Sequence, residues 1–184
     1  MRGQSILAAG VLVVSVLSTV AAVGVAIHPN DKSSWQEIAW PYPRDGWPAG
    51  RAFRCVSCGG QGGGHVELYV RPKIGFCNCD TGVADDDEVD RVADLDLISA
   101  NFAPRGAGKV VRVDDMSGRA RVYDLWMTNG ARHTAIGFAL SHRCDLLVAV
   151  TQGEGEASAL QRAALEFLGS GDMHRWMMAA LGSK

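Results

Sequence analysis

The cysteines are the residues of this chain whose type and spacing could support unusual chemistry. Four of the five lie close together in the sequence, as Cys55-x2-Cys58 and Cys77-x-Cys79. Four thiolates can hold a zinc or copper ion, whereas paired thiols outside the cytoplasm usually become disulfides. A third use, thiol–disulfide exchange, is favoured by a helix N-terminus beside the thiol, and the glycine run after Cys58 argues against such a helix.

We expect structural disulfides among these four cysteines, because the single residue between Cys77 and Cys79 is shorter than the usual spacing of zinc ligands. On a strand these two side chains point to the same face, so bonds from them to Cys55 and Cys58 are more plausible than a bond between them. The pairing itself does not follow from the sequence. The alternative is a metal site made by the same four thiolates, with His65 as the nearest additional ligand.

The fifth cysteine, Cys144, is the remaining candidate nucleophile. It stands at the start of an apolar stretch, and we expect it to be a small buried side chain. His142 and Asp145 are close to it in sequence, but neighbouring residues of a strand point to opposite faces, so the three do not make a triad. We therefore predict no catalytic residues and no enzymatic activity.

An acidic run follows the clustered cysteines. It lacks the ligand spacing of an EF-hand, and acidic residues suit the N-terminal turn of a helix. We expect a capped helix over about residues 86–95 with a solvated acidic face. The alternatives are binding of a divalent ion and docking on a basic partner. The acidic residues are Asp80, Asp85, Asp86, Asp87, Glu88, Asp90, Asp94 and Asp96.

A long apolar stretch near the N-terminus predicts where the chain resides. No charged residue occurs from Ile6 to Ile27. As a helix this stretch would be about 33 Å long, enough to cross a hydrocarbon core of about 30 Å. With Arg2 before it, the positive-inside rule predicts a single-pass inner-membrane protein with a cytoplasmic N-terminus and a periplasmic, extracytoplasmic domain. A cleaved secretory signal is the alternative, although its apolar region is usually shorter.

This reading divides the chain into a transmembrane anchor (1–28), a Trp/Pro-rich juxtamembrane linker (29–54) and a soluble domain (55–184) that begins with the cysteine cluster. Prolines in the linker forbid a regular helix. Its tryptophans are our candidate partner-binding residues, and the alternative is a linker that packs on its own domain. These tryptophans are Trp35, Trp40 and Trp47.

Within the soluble domain, alternating apolar residues predict strands and a period of 3.6 predicts helices. Asn129-Gly130 is the strongest hairpin signal in the chain. The predicted fold is α+β: an N-terminal transmembrane helix is followed by an antiparallel sheet covered by helices, as a two- or three-layer sandwich. The predicted strands span residues 65–71, 109–113, 119–127, 132–140 and 145–151, and two helices follow, one from Leu160 to Leu168 and one capped by Asp172.

Residues 109–170 resemble the sheet-and-helix half of the PsbP-like sandwiches. The resemblance rests on paired strands that lead to a helix ending near Phe167-Leu168-Gly169-Ser170. It implies an α/β sandwich and a role as an accessory factor on exported or membrane-bound assemblies, without catalytic residues. The resemblance does not account for the N-terminal half, which contains the cysteine cluster.

The charge of the chain limits which classes of partner it can bind. The net charge is −2, and there is no basic stripe to neutralise nucleic-acid phosphates, so we predict no nucleic-acid partner. We predict a membrane-anchored accessory or interaction protein, a subunit or assembly factor of a membrane protein complex, with no cofactor and no small-molecule substrate. The alternative is a metal- or thiol-handling protein that uses the cysteine cluster.

Overall fold

A computed structural model describes residues 34–43, 45–58, 64–76 and 78–182. These residues form one eight-stranded sheet and four helices. The elements are β1 (Trp35–Ile38), β2 (Arg51–Cys55), β3 (Val66–Lys73), α1 (Asp86–Val92), α2 (Leu95–Ile98), β4 (Phe102–Pro104), β5 (Lys109–Val113), β6 (Met116–Trp126), β7 (Arg132–His142), β8 (Asp145–Gly153), α3 (Ala157–Leu168) and α4 (Gly171–Ala180).

Every described strand pairing is antiparallel, and the order across the sheet is β1-β2-β3-β8-β7-β6-β4. β5 pairs with the first half of β6, beside the part of β6 that pairs with β4. The predicted hairpin at Asn129-Gly130 is confirmed, because it joins β6 to β7 and Gly130 has a φ of +83°. Glycine adopts this left-handed backbone without the steric cost that a Cβ would add.

One face of the sheet is covered by α3 and α4. Alternate residues of β7, such as Ile136 and Phe138, point to this face and are fully buried. Helix α3 meets them with Leu160, Ala164 and Leu168, spaced four residues apart. That spacing places the three side chains on one side of the helix, so the amphipathic pattern alone determines which face of α3 is buried.

The opposite face is covered by α1 and α2. Val89 and Val92 of α1 pack against Tyr123 of β6 in a second buried cluster. The approach is close at Gly137 of β7, where an added Cβ would lie 2.9 Å from the Cβ of Ala93. Helices therefore lie on both faces of the sheet, which makes three layers.

The predicted fold class requires correction. No helix of the described residues is long and apolar enough to cross a membrane. The longest of them, α3, has 12 residues and rises only about 18 Å. The charge-free stretch 6–27 lies outside the described residues.

The corrected class is a three-layer fold built on an antiparallel sheet, without a membrane-spanning helix in the part described. The predicted transmembrane anchor and the single-pass inner-membrane location are withdrawn with it. The strand β1 and all of β2 except its last residue, at the edge of the sheet, lie within the range 29–54 that was predicted as a linker.

Candidate functional site

The site that stands out is a set of charged side chains on the α1/α2 face of β3. All eight residues of this strand are buried, including its charged ones. Val66, Leu68 and Val70 point to the α3/α4 face. Strand alternation therefore turns Arg71 and Lys73 to the opposite face, beneath α1 and the segment before β2. Burying charges is costly unless each is paired, so the partners of these two residues define the site.

Arg71 lies between two carboxylates that come from different parts of the chain. Its side chain is only 3% exposed. Nη1 and Nη2 donate hydrogen bonds to Oδ1 and Oδ2 of Asp45 at 2.8 and 2.7 Å. Nε and Nη2 donate to Oδ2 and Oδ1 of Asp94 at 2.5 and 2.6 Å. A planar guanidinium can make two bidentate contacts of this kind, whereas a lysine ammonium cannot.

Lys73 completes what we call the ionic cluster, which consists of Asp45, Arg71, Lys73 and Asp94. Its Nζ donates to Oδ1 of Asp94 at 2.8 Å and to the carbonyl of Val92 at 2.8 Å. Asp94 lies between α1 and α2, so the cluster ties the helical layer to the sheet. With two cations and two carboxylates, the formal charges of the cluster balance.

The electrostatics of the cluster favour its ionised form. Hydrogen bonds from Arg71 lower the pKa of Asp45 to about 2, and burial opposes this only in part. Burial alone would lower the pKa of Arg71, but the hydrogen bonds to Asp94 and Asp45 outweigh it and raise that pKa above its usual value. Asp45 and Arg71 are therefore both charged at neutral pH.

The tryptophans predicted to bind a partner pack against this domain itself. Trp40 lies over the guanidinium of Arg71, with 5.9 Å from Cζ to the ring centroid, and Trp47 lies 5.6 Å from Nζ of Lys73. Trp35 stacks on Phe167 of α3 at 5.1 Å. All three rings are half-buried. They hold their own segment on the sheet, as in the alternative that the sequence left open.

A close backbone crossing lets Trp40 reach the sheet. A Cβ added to Gly50 would lie 2.2 Å from the carbonyl oxygen of Val70 and 2.7 Å from Cζ3 of Trp40. Any larger residue would push the segment away from β3. We call residues 34–43 and 45–50 the Trp/Pro segment.

A second polar network, centred on Glu67, continues along the same face. Its carboxylate accepts hydrogen bonds from Arg54 at 2.7 and 3.0 Å, from Gln152 at 3.0 Å and from the hydroxyl of Tyr69. Nδ1 of His133 lies 2.8 Å from Oε1 of Gln152. These contacts satisfy a carboxylate that would otherwise be buried without partners.

The pKa values of this network follow from its hydrogen bonds. Burial raises the pKa of Glu67, but hydrogen bonds from Tyr69, Arg54 and Gln152 outweigh it, so the net pKa is lowered. Burial, together with the hydrogen bond to Glu67, raises the pKa of Tyr69 to about 12. Glu67 is therefore held as an acceptor and Tyr69 as a donor, which suits a structural role better than proton transfer near neutral pH.

Little space remains between the ionic cluster and the aromatic rings. The cavity beneath Trp40 and Tyr42 has about 10 Å³ accessible to the centre of a water molecule. That is room for about one water, whereas sites for small organic ligands are typically about 300 Å³ or more. The side chains of the cluster fill their own site.

The acidic run supplies the sheet with counter-ions. Asp86, Asp90 and Asp94 are spaced four apart. Oδ1 of Asp86 accepts from Arg119 at 2.7 Å, and Oδ2 of Asp90 accepts from Arg121 at 2.6 Å. Sequence reasoning expected a solvated face and missed these pairs. Two features of the sequence indicate such pairs: the acidic residues are spaced four apart, and Arg119 and Arg121 occupy alternate positions of a strand.

The cysteines pair in a way that the sequence did not predict. Cys55 bonds to Cys58, and Cys79 bonds to Cys144 across a sequence separation of 65. Cys77 lies outside the described residues. Cys144 was expected to be buried and free, but it lies exposed in the turn between β7 and β8.

This pairing leaves the four-thiolate metal site unformed. Cys79 is bonded to Cys144 and so is not available to share an ion with Cys55 and Cys58. Within the described ranges, no group of three or more His, Cys, Asp or Glu side chains could hold a metal ion. His65 is exposed and immediately precedes β3.

Comparison with known proteins adds little. No protein-family model matches the chain, and no curated protein matches it significantly. Among solved structures the chain is similar to the crystal structure of PA94, a Pseudomonas aeruginosa protein of unknown function that is thought to be a regulator. The two are 12% identical, the match covers 84% of each chain, and the TM-score is 0.33. A likeness at this level supports no argument about function, and nothing in it bears on the PsbP-like resemblance.

Proposed function

We propose that this protein is a non-catalytic accessory protein of an oxidising compartment, which binds a partner protein through the Trp/Pro segment. The observation that carries the proposal is the double hydrogen bond from buried Arg71 to Asp45. It holds an otherwise exposed piece of chain in one conformation. Disulfides persist mainly in oxidising compartments, which supports the location.

A segment held this way is suited to binding, because the conformational entropy of ordering it is already lost in the free protein. Pro41, Pro43 and Pro48 are exposed, and proline restricts the backbone further. Preorganised segments gain affinity because association then orders little additional chain. The exposed side of the Trp/Pro segment is thus a ready-made recognition surface.

The segment also places a strand at the edge of the sheet. β1 pairs with β2 on one side, and no described strand pairs with its other side. An edge strand offers backbone donors and acceptors to an extended peptide from a partner. Exposed Gln36 and Glu37 on this strand are polar, which limits indiscriminate pairing of edges.

Binding is favoured over catalysis because the buried charged side chains are paired with one another. Arg71, Lys73 and Glu67 each have hydrogen-bonded partners with a structural use. A catalytic acid or base would instead face space that a substrate can enter. The small cavity beneath Trp40 offers no such space.

The test is capture of a partner by variants that change only one surface. Ala39→Arg combined with Ala49→Arg adds two charges to exposed positions of the Trp/Pro segment without removing a proline. Ser158→Arg combined with Ala179→Arg adds the same two charges to exposed positions of α3 and α4, on the opposite face.

The full chain and both variants are used as bait in extracts of the source cells, with chemical cross-linking and quantitative mass spectrometry. We expect a partner that the wild type and the α3/α4 variant retain and that the segment variant loses by at least about tenfold. Equal capture by all three proteins, or a monomer without any partner, would contradict the proposal.

A further inference from the structure

The disulfide between Cys55 and Cys58 differs from the other bond in its surroundings. Cys55 is the last residue of β2 and is fully buried, whereas Cys58 is half-exposed three residues later. The hydroxyl oxygen of Ser34 lies 3.1 Å from Sγ of Cys55 and 3.6 Å from Sγ of Cys58. One sulfur is therefore within reach of solvent, and the other is buried beside a hydroxyl that can donate to it.

We infer that Cys55–Cys58 is a thiol–disulfide exchange site for a dithiol reductant. This inference goes beyond the binding role and does not depend on it. Two sulfurs of unequal exposure determine the direction of attack, because a thiolate attacks the sulfur that it can reach and the other sulfur leaves. A hydrogen bond to the departing thiolate stabilises its charge and so favours opening of the bond.

The exchange transfers two electrons from the reductant to the Cys55–Cys58 bond. A thiolate of the reductant attacks Sγ of Cys58, and the electron pair of the Cys55–Cys58 bond leaves with Sγ of Cys55. The product is a mixed disulfide at Cys58 and a thiolate at Cys55, which accepts a hydrogen bond from Ser34. The second thiolate of the reductant then attacks its own sulfur in the mixed disulfide and releases Cys58. The reductant becomes a disulfide, and the two protein thiolates take up protons from solvent.

The fold can tolerate this cycle because the bond joins residues only three apart. After reduction, the ladder between β2 and β3 still holds Cys55 opposite Val66. The second bond differs in this respect, since Cys79–Cys144 joins a loop to the β7–β8 turn across 65 positions. Both Cys79 and Cys144 are exposed, so accessibility alone would favour reduction of this bond first, which makes it a stringent control.

The test is a redox titration of the folded full chain carrying Cys77→Ser, which removes the fifth thiol. The protein is equilibrated with reduced and oxidised dithiothreitol in varied ratio. Free thiols are then alkylated, and peptide mass spectrometry measures each bond separately. We expect Cys55–Cys58 to be half-reduced at a ratio at least about tenfold lower than Cys79–Cys144, with the near-ultraviolet circular dichroism unchanged. Simultaneous reduction, earlier reduction of Cys79–Cys144, or reduction only on unfolding would overturn the inference.

Two sets of variants test the assigned roles. Ser34→Ala is expected to lower the rate constant for reduction of Cys55–Cys58 by dithiothreitol about threefold to tenfold, the size of one hydrogen bond to the departing thiolate. Exposed Ser57→Ala, in the same loop, should leave it unchanged.

With oxidised glutathione, the Cys55→Ser protein should form a mixed disulfide at Cys58, whereas the Cys58→Ser protein should react at Cys55 at least about tenfold more slowly. The reverse preference, or no effect of Ser34→Ala, would overturn the mechanism.

Discussion

Arg71 holds Asp45 by two hydrogen bonds across 26 positions of sequence, with the guanidinium buried and the carboxylate partly exposed. Asp45 belongs to a surface segment that contributes little to the main core clusters. The pair therefore holds the Trp/Pro segment in one conformation against the sheet. The same guanidinium binds Asp94, so one side chain links the segment, the sheet and the helical layer.

Replacement of Arg71 should be strongly destabilising. Arg71→Met leaves Asp45 without its main partner and Asp94 with Lys73 alone, so we expect a loss of about 3–5 kcal/mol in the free energy of unfolding. Arg71→Lys should also destabilise the protein, because one ammonium cannot replace two bidentate contacts. Urea denaturation measures both. The exposed control Arg162→Met should stay within about 0.5 kcal/mol of wild type, and a similarly mild effect of Arg71→Met would contradict the role of the cluster.

Acid should weaken the fold through Asp45. Its folded-state pKa is about 2, below the usual 3.8. A lowered pKa contributes stability that is fully present above the unfolded value and is lost as the pH falls through the folded value. We expect the free energy of unfolding to decline between about pH 4 and pH 2, and Glu67 and Asp86, whose pKa values are also lowered, act in the same direction.

The variant Asp45→Asn isolates that contribution. It should make the acid decline shallower than in wild type, and it should be less stable than wild type at pH 7. Asp96→Asn, at an exposed position, is the control and should follow the wild-type curve. Chemical denaturation at a series of pH values makes the comparison. Identical slopes for wild type and Asp45→Asn would show that the Arg71 contact does not shift the titration of Asp45.

The two disulfides should contribute unequally to stability. The chain-entropy model relates the contribution to the length of the closed loop. Replacing both Cys79 and Cys144 by serine, with a sequence separation of 65, should cost about 4 kcal/mol. Replacing Cys55 and Cys58, with a separation of 3, should cost about 2 kcal/mol. Urea denaturation of the two double variants measures both, and equal losses would refute the ranking.

Gly50 should be intolerant of even a single methyl group. In Gly50→Ala the new Cβ would lie 2.2 Å from the carbonyl oxygen of Val70, so the Trp/Pro segment must shift. We expect a loss of about 1–3 kcal/mol and a red-shifted tryptophan emission as Trp40 becomes more exposed.

Gly171→Ala is the matched control, because its Cβ would meet only Nη1 of Arg175 at an ordinary 3.6 Å. It should leave the emission unchanged. An unchanged spectrum in Gly50→Ala would show that the segment has room to move on β3.

Local patterns predicted several elements closely. The strand at 109–113 is observed as β5, and the predicted strands 132–140 and 145–151 correspond to β7 and β8. The predicted strand 65–71 ended just before Pro72. This proline lies within β3, beyond the last residue that pairs with β2, where only β8 lies beside it. The missing amide proton of proline is tolerable there.

Other expectations failed because they depended on distant contacts. Glu67 and Arg71 alternate with apolar residues, a pattern that is typical of a strand with one buried and one solvated face. The polar side is buried as well, because the Trp/Pro segment and α1 cover it. The alternation is the same in both cases, and only the covering layer distinguishes a solvated face from a buried ionic one.

The sequence by itself determined the periodicities and turns that make the individual strands and helices, because these depend on residues within a few positions of each other. Only the tertiary structure decided that Cys79 bonds to Cys144, that Asp45 binds Arg71 and that Asp86, Asp90 and Asp94 pair with basic side chains of the sheet. Those choices depend on which distant residues come within bonding distance when the layers pack. Local spacing carries no information about that distance.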